Sequence, residues 1–281
     1  MRIGKSIYKT PAELRHMLVP GHMTYSSLAA VRDAIRPGVA TLELDHIAQA
    51  TIRGMGGAPN FMLEPGYRHT LCVSVNDEVV HGVPGPKVLQ AGDIVSIDSG
   101  AVAGGWNGDA AITVVLDDPA QPELVARRRE LAEATEHALW AGIAALASAK
   151  HLNEIGGAIE DAVAARGAAL GRSFGILEDY VGHGIGRSMH EDPPVFNYRV
   201  RGNGPAVKPG LVVAIEPMVV AGAIDTHVLD DNWTVATDDG QDAAHCEHSV
   251  AVHAGGLWVL TAEDGGAAGL APFGVTPTPI A

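Results

Sequence analysis

Residues 91–115, AGDIVSIDSGAVAGGWNGDAAITVV, read as two strands joined by a tight glycine turn, with one acid on each strand. Ile94, Val95, Ile97 and Val102 favour extended backbone, as do Ile112, Thr113, Val114 and Val115. Gly104-Gly105 is the hairpin signal between them. If those two glycines form a two-residue loop, Asp98 faces Ala111 and Gly100 faces Asp109. Side chains alternate with a period of two, so Asp98 and Asp109 then share one face as diagonal neighbours. Two bare carboxylates on an apolar sheet repel each other unless a cation lies between them. A divalent metal takes oxygen ligands from both. A three-residue loop would reverse the parity and leave the acids on opposite faces, flanking an exposed hairpin.

The surrounding chain sets the bounds. Its 281 residues fit one large domain or two small ones, and 47% hydrophobic residues suffice for a sizeable core. A net charge of -14 argues against DNA, RNA or an anionic membrane surface as the main partner. Cys72 and Cys246 make no disulfide framework and fit a reducing compartment. The start, MRIGKSIYKT, has no apolar core of a signal peptide, and no run reaches the roughly 18 apolar residues of a membrane span. The expected location is the cytoplasm.

Residues 1–9 form a short lead. Thr10-Pro11-Ala12-Glu13 is a helix start with a capping box. Pro20-Gly21 interrupts that pattern, and a second helical pattern covers 24–35. A third runs from 41 to about 55. Residues 71–75 and 78–80 read as short strands, 122–149 and 152–166 as helices. Strands follow at Val212–Ile215 and over 233–236, 247–252 and 257–260. Residues 264–281 hold Gly, Ala, Pro and Thr without periodicity and are expected to be a disordered tail after a single domain over 10–263.

The first half echoes in the second. Leu44-x-x-Ile47-x-x-Ala50 matches Leu152-x-x-Ile155-x-x-Ala158. Val80-His81-Gly82-Val83 resembles Gly182-His183-Gly184-Ile185. Gly92-x-Ile94-Val95-Ser96-Ile97-Asp98 matches Gly210-x-Val212-Val213-Ala214-Ile215-Glu216. Helix, His-Gly loop and acid-ended strand recur in the same order, which predicts two helix–sheet halves facing each other. Asp98 and Glu216 would meet across a pseudo-two-fold axis, near His81 and His183.

Asp98, Asp109, His183, Glu216 and Glu247 are therefore the candidate ligands. Four carboxylates and an imidazole can hold two divalent ions about 3.5–4 Å apart, a hydrolytic arrangement that acidifies a bridging water and polarises a carbonyl. His81 and His190 lie in Gly/Pro loops beside them. His248, next to Glu247 on a strand, points the other way. His16, His22, His46, His69, His137, His151, His227 and His253 read as surface or satisfied core histidines. The G-x-G-x-G of 182–186 lacks the strand–helix setting of a dinucleotide fingerprint.

Taken together, His81-Gly82-Val83-Pro84, Asp98 with Asp109, Gly182-His183-Gly184-Ile185-Gly186-Arg187, His190-Glu191-Asp192-Pro193-Pro194, Ile215-Glu216-Pro217-Met218 and Glu247-His248 resemble the type I methionine aminopeptidases. The resemblance covers about 10–261. It implies the pita-bread fold, an α/β (α+β) architecture of two pseudo-symmetric halves with a central antiparallel sheet covered by helices. It implies two divalent ions (Co, Mn, Fe, Zn or Ni) on Asp98, Asp109, His183, Glu216 and Glu247, with attack by a metal-bridging hydroxide that Glu216 helps to activate. His190 would stabilise the oxyanion, and His81 would contact the scissile amide and help proton transfer. Tyr67, Cys72 and Trp233 would line a pocket for the methionine side chain. The substrate implied is the N-terminal peptide of nascent polypeptides, whose free amine would meet one metal. The region of the ribosome exit is a candidate partner, and a monomer is expected. The sequence departs from that family at Met189, Glu64, Arg68, Asn232 and Cys246; of these, Met189, Glu64 and Arg68 are expected around the pocket. The rivals are a proline-specific aminopeptidase or dipeptidase of the same fold, and a pita-bread binding protein without catalysis.

Overall fold

The computed structural model describes residues 6–281, so only 6–9 of the expected lead can be placed. Those residues lie against the body: Tyr8 bridges Leu211, and the Lys9 ammonium pairs with Glu191 at 2.7 Å. Helix α1 (Pro11–Ala34) begins at the expected box, with Glu13 Oε2 accepting from the Thr10 amide at 2.8 Å. It does not break at Pro20-Gly21, so the two helical patterns are one helix. Proline inside a helix costs about 3 kcal/mol. Here Pro20 and Gly21 are both buried, and a Cβ on Gly21 would lie 2.5 Å from the Leu260 carbonyl oxygen. The helix continues because its small residue lies flush on the body, and packing outweighs the lost hydrogen bond.

Helix α2 (Thr41–Gly54) joins α1 over the first half. Leu28, Val31, Leu44, Ala48, Leu71, Val73 and Ile97 form one core there. Short strands β1 (Ala58–Pro59), β2 (Leu71–Val75) and β3 (Glu78–Val80) precede the hairpin of β4 (Ile94–Ala103) and β5 (Trp106–Val115). Helices α3 (Pro122–Leu146) and α4 (Glu154–Leu170) cover the second half, where Leu139, Ile143, Ile155, Ile159, Val213, Ile215 and Val250 form the larger core. Then come β6 (Gly175–Ile176), β7 (Gly182–Gly184), β8 (Glu191–Val195), β9 (Val212–Ile215), β10 (Met218–Val220), β11 (Thr226–Val228) and β12 (Val235–Thr237). Strands β13 (Ala243–His245), β14 (Glu247–His253) and β15 (Gly256–Val259) follow. Trp233 lies just before β12 rather than in it.

The central sheet runs β1-β4-β5-β14-β9-β7-β8, with β2 added on β4 and β15 on β14. Its pairings are antiparallel, and each half carries its own pair of helices. The two halves meet where β5 pairs with β14.

The final segment is not a disordered tail. The Asp264 carboxylate accepts from the amides of Gly266, Ala267 and Ala268 and starts a short helix, α5 (Ala267–Leu270). Leu270 is fully buried in the second-half core, the Thr278 amide donates to the Leu257 carbonyl, and Ile280 packs against the cluster of Leu14 and Met17. The glycines permit this docking. A Cβ on Gly269 would lie 2.2 Å from the Trp140 ring. The low-complexity composition reflects close approach to tryptophan.

Candidate metal centre

The turn between β4 and β5 has two residues: Ala103 pairs with Trp106, and Gly104 and Gly105 sit at φ 57 and 74. L-residues with side chains rarely adopt two successive positive φ values, so glycine is the fitting choice. The register then puts Asp98 opposite Ala111 and Asp109 opposite Gly100, on one face. Glu247 also pairs with Ala111, from β14. His248 pairs with Ile215, so one step along that ladder Glu247 meets Glu216, the residue that ends β9. Ala214 pairs with both Ser249 and His183. Ser249 in turn donates its hydroxyl to the Asp109 carbonyl at 2.7 Å and accepts the Asp109 amide at 3.1 Å. Two adjacent rows across one sheet face therefore carry all five expected ligands: Asp98 and Glu247 with Glu216 in one, Asp109 and His183 in the other.

The atoms converge accordingly. Donor atoms of Asp109, His183 and Glu247 lie within 4.8 Å of one another, and so do those of Glu216, His245 and Glu247. Asp98 lines the same cavity. Four buried polar atoms there, Asp98 Oδ1, Asp109 Oδ1, Glu247 Oε1 and His245 Nε2, find no hydrogen-bond partner among the described residues. Each such orphan costs about 1–3 kcal/mol. Burial raises the Asp98 carboxyl to about 8. Burial and the neighbouring acids push Asp109, Glu216 and Glu247 well above the usual carboxylate range. These side chains fit divalent cations: oxygen-rich donors with spare lone pairs, whose mutual repulsion a cation removes.

His183 is prepared as a neutral donor. Its Nδ1 lies 2.9 Å from the Gly184 carbonyl oxygen, which fixes the proton there and leaves Nε2 bare, 3.4 Å from Glu216 Oε1. Burial lowers its pKa to about 4. The His190 ring stands 4.5 Å from the His183 ring, and burial lowers its pKa as well. His81 completes the group, its pKa lowered to about 4 by burial and then by His190. Its backbone sits at φ 60, a left-handed conformation uncommon for this residue type. Gly82 follows because a Cβ there would come 2.2 Å from the Val73 carbonyl oxygen.

The cavity holds about 530 Å³ and has an apolar end. Phe61, Tyr67, Cys72 and Met189 are buried together, with Val83 and Trp233 packed against them. Tyr67 meets Trp233 edge-on at 4.9 Å and donates its hydroxyl to the Leu71 carbonyl at 2.6 Å. Cys72 pairs directly with Asp98 across β2 and β4, so the apolar wall begins one strand from the acids. Tyr67, Cys72 and Trp233 are thus brought together as expected; Phe61 is a wall that motif reading missed.

The departures from the family sort by position. Glu64 and Met189 line the cavity, whereas Arg68 is exposed and is not part of the lining, so it does not belong with them. Asn232 occupies φ 66, where asparagine is among the few residues tolerated in place of glycine. Cys246 is buried in the second-half core under the helices, on the face away from the acids. His248 likewise points away, bonded to Thr261 Oγ1 at 2.9 Å and packed on Trp140. His245 is the functional candidate that motif reading missed. The signal was present: it stands two residues before Glu247, and so on the same strand face.

Residues 15–254 match the model of metallopeptidase family M24, and the chain belongs to that family. It is 46% identical over 254 residues to methionine aminopeptidase 1 of Mycobacterium tuberculosis, covering 90% of this chain and 94% of that protein. It is 40% identical to methionine aminopeptidase 1 of Bacillus subtilis, covering 91% and 98%. The crystal structure of methionine aminopeptidase from Thermotoga maritima superposes with a TM-score of 0.83 at 37% identity, over 91% of this chain and 99% of that one. A prolidase from Pyrococcus furiosus shares the fold at a TM-score of 0.67 and 21% identity, and this chain covers 65% of it. The pita-bread architecture implied by the resemblance is the observed one, with the two halves that the repeat predicts.

Proposed function

We propose that this chain is a methionyl aminopeptidase, a hydrolase that removes the initiator methionine from the N-terminus of nascent polypeptides. Asp98, Asp109, His183, Glu216 and Glu247 would hold two divalent ions. One observation carries the reading: acids from both halves converge in a cavity whose other wall is apolar. That geometry suits a short apolar side chain beside the peptide bond to be cut, and Tyr67, Cys72 and Trp233, with Phe61 and Met189, would enclose it.

The ions, when bound, supply Lewis-acid polarisation of the carbonyl and a more acidic water. Glu216 would accept the proton of the attacking water. His190, neutral through burial, would donate an N–H to the oxyanion that develops on the scissile carbonyl. His81, also neutral, would hold the amide and return a proton to the departing amine. Neither needs to change charge before the reaction begins, because desolvation has already fixed both as imidazoles.

Similarity to methionine aminopeptidases over most of the chain favours this reading over a proline-specific peptidase, whose likeness here is one of fold. Among the described residues no helix is long and apolar enough to cross a membrane. We place the enzyme in the cytoplasm as a monomer, acting on chains leaving the ribosome. The test is hydrolysis of Met-Gly-Met and of Xaa-Pro peptides by protein reconstituted with Co(II), Mn(II), Fe(II), Zn(II) or Ni(II). Release of methionine from the first is expected; cleavage confined to the second, or none with any metal, would overturn the assignment.

A further inference from the structure

We propose that His245 is a sixth donor of the centre, adding a second imidazole to the five expected ligands. The inference rests on the dinuclear reading above. Strand β13 ends at His245 and passes through Cys246 into β14, so His245, Glu247 and Ser249 project from one face. His245 is 3% exposed, lines the cavity of the acids, and its Nε2 has no hydrogen-bond partner among the described residues. A buried imidazole nitrogen normally finds one. The Glu216 Oε2 oxygen lies 3.7 Å away, too far for a hydrogen bond. Two donors bound to one ion at about 2.0–2.2 Å stand roughly 3–3.5 Å apart, so a shared cation would need to draw this pair together by only a few tenths of an ångström.

The backbone holds the residue in place. Its amide faces Ser96 Oγ and Thr113 Oγ1, each at 3.1 Å, and its carbonyl accepts the Thr113 hydroxyl at 2.7 Å. Both hydroxyls come from the hairpin of the other half. Two donor triads share Glu247, one with Asp109 and His183 and one with Glu216 and His245, and His183 Nε2 also lies 3.4 Å from Glu216 Oε1, so both imidazoles border the same acids. Imidazole favours Fe, Co, Ni and Zn over Mn and Mg, so a second nitrogen would strengthen selection against the harder ions.

The experiment uses the full chain, stripped of metal and titrated with Co(II) and Mn(II) by calorimetry, with X-ray absorption on the Co(II) form. The wild type is expected to bind two ions with about one imidazole per ion, and His245→Gln to fall to about one-half. The second Co(II) equivalent is expected to weaken about tenfold or more in that variant, at least the cost of losing a supporting ligand partner, and Mn(II) to weaken less. A wild-type count of one-half overturns the proposal without any variant, so it can fail even if His245→Gln does not fold. An unchanged count and affinity in a folded His245→Gln overturns it equally. A wild-type stoichiometry of one ion overturns the dinuclear reading, and this proposal with it, and is distinct from the other failures.

Discussion

The two His-Gly segments look alike in sequence and are built differently. His81 and His183 both precede a glycine that has no room for a side chain: a Cβ on Gly82 would lie 2.2 Å from the Val73 carbonyl oxygen, and one on Gly184 would lie 2.1 Å from that of Asp192. Yet His183 belongs to a strand of the central sheet, while His81 follows β3 in a left-handed conformation. The first is held by a ladder and is aimed among the acids. The second follows its strand, stands edge-on to Tyr180 at 5.5 Å, and lines the cavity. On the proposed assignment, the two echoing segments would serve as a ligand and a substrate-facing group, and they differ in one backbone region. The same contrast holds between the acids. Asp98 and Asp109 are set by a local turn, whereas Glu216 and Glu247 meet only because β9 and β14 pair.

The largest expected effect tests that second contrast. Asp109→Ala removes a donor common to the cluster and is expected to abolish peptide cleavage. Metal affinity should fall by more than about 10²-fold, beyond what loss of an outer partner costs. Calorimetry and a peptide assay read both, and a loaded, active variant would break the assignment. His190→Ala separates the roles of neighbouring imidazoles: turnover is expected to drop on the order of 10²–10³-fold with both ions retained. A lower metal content in that variant would move His190 into the ligand set.

A smaller effect follows from the raised carboxylates. Without metal, a buried acid whose folded pKa exceeds its unfolded value destabilises the fold as pH rises from the unfolded value, near 4, towards the folded one. For Asp98 that window ends at about 8. Metal binding requires the ionised forms, so the stabilisation given by added Zn(II) is expected to grow with pH across this window. Urea unfolding of stripped and loaded protein at pH 5.5, 6.5 and 7.5 measures it, and a pH-independent difference would refute the linkage. The smallest effect sharpens the comparison of the loops. Gly82→Ala and Gly184→Ala are each expected to cost about 1–3 kcal/mol through overpacking. Of the two, Gly82→Ala is expected to impair turnover without metal loss, because it displaces His81 and no ligand. Urea midpoints and metal content separate the two outcomes.

Much of the centre was legible from residues. The Gly104-Gly105 turn fixed the parity of Asp98 and Asp109, and a strand ending in Glu216-Pro217 marked a charge with a purpose. His245 escaped because its partners are long-range: nothing near it in the chain reports that Glu216 will stand beside it. Helix α1 was read as two because local rules penalise Pro20, and only the packing of Gly21 on Leu260 shows why the helix continues. The last residues were read as disordered because small residues carry no periodicity. Their order comes from the tryptophan rings of other elements.

The sequence alone determined the local geometry: strand alternation, the glycine turn, the helix cap and the repeat that implies two halves. Those depend on backbone dihedrals and side-chain period, which neighbours in the chain dictate. Only the tertiary structure decided which distant donors share a cavity, which histidine joins them and where the last segment lies. Such choices depend on strand pairing and burial across the whole sheet, and desolvation acts on residues that the chain brings together only when folded.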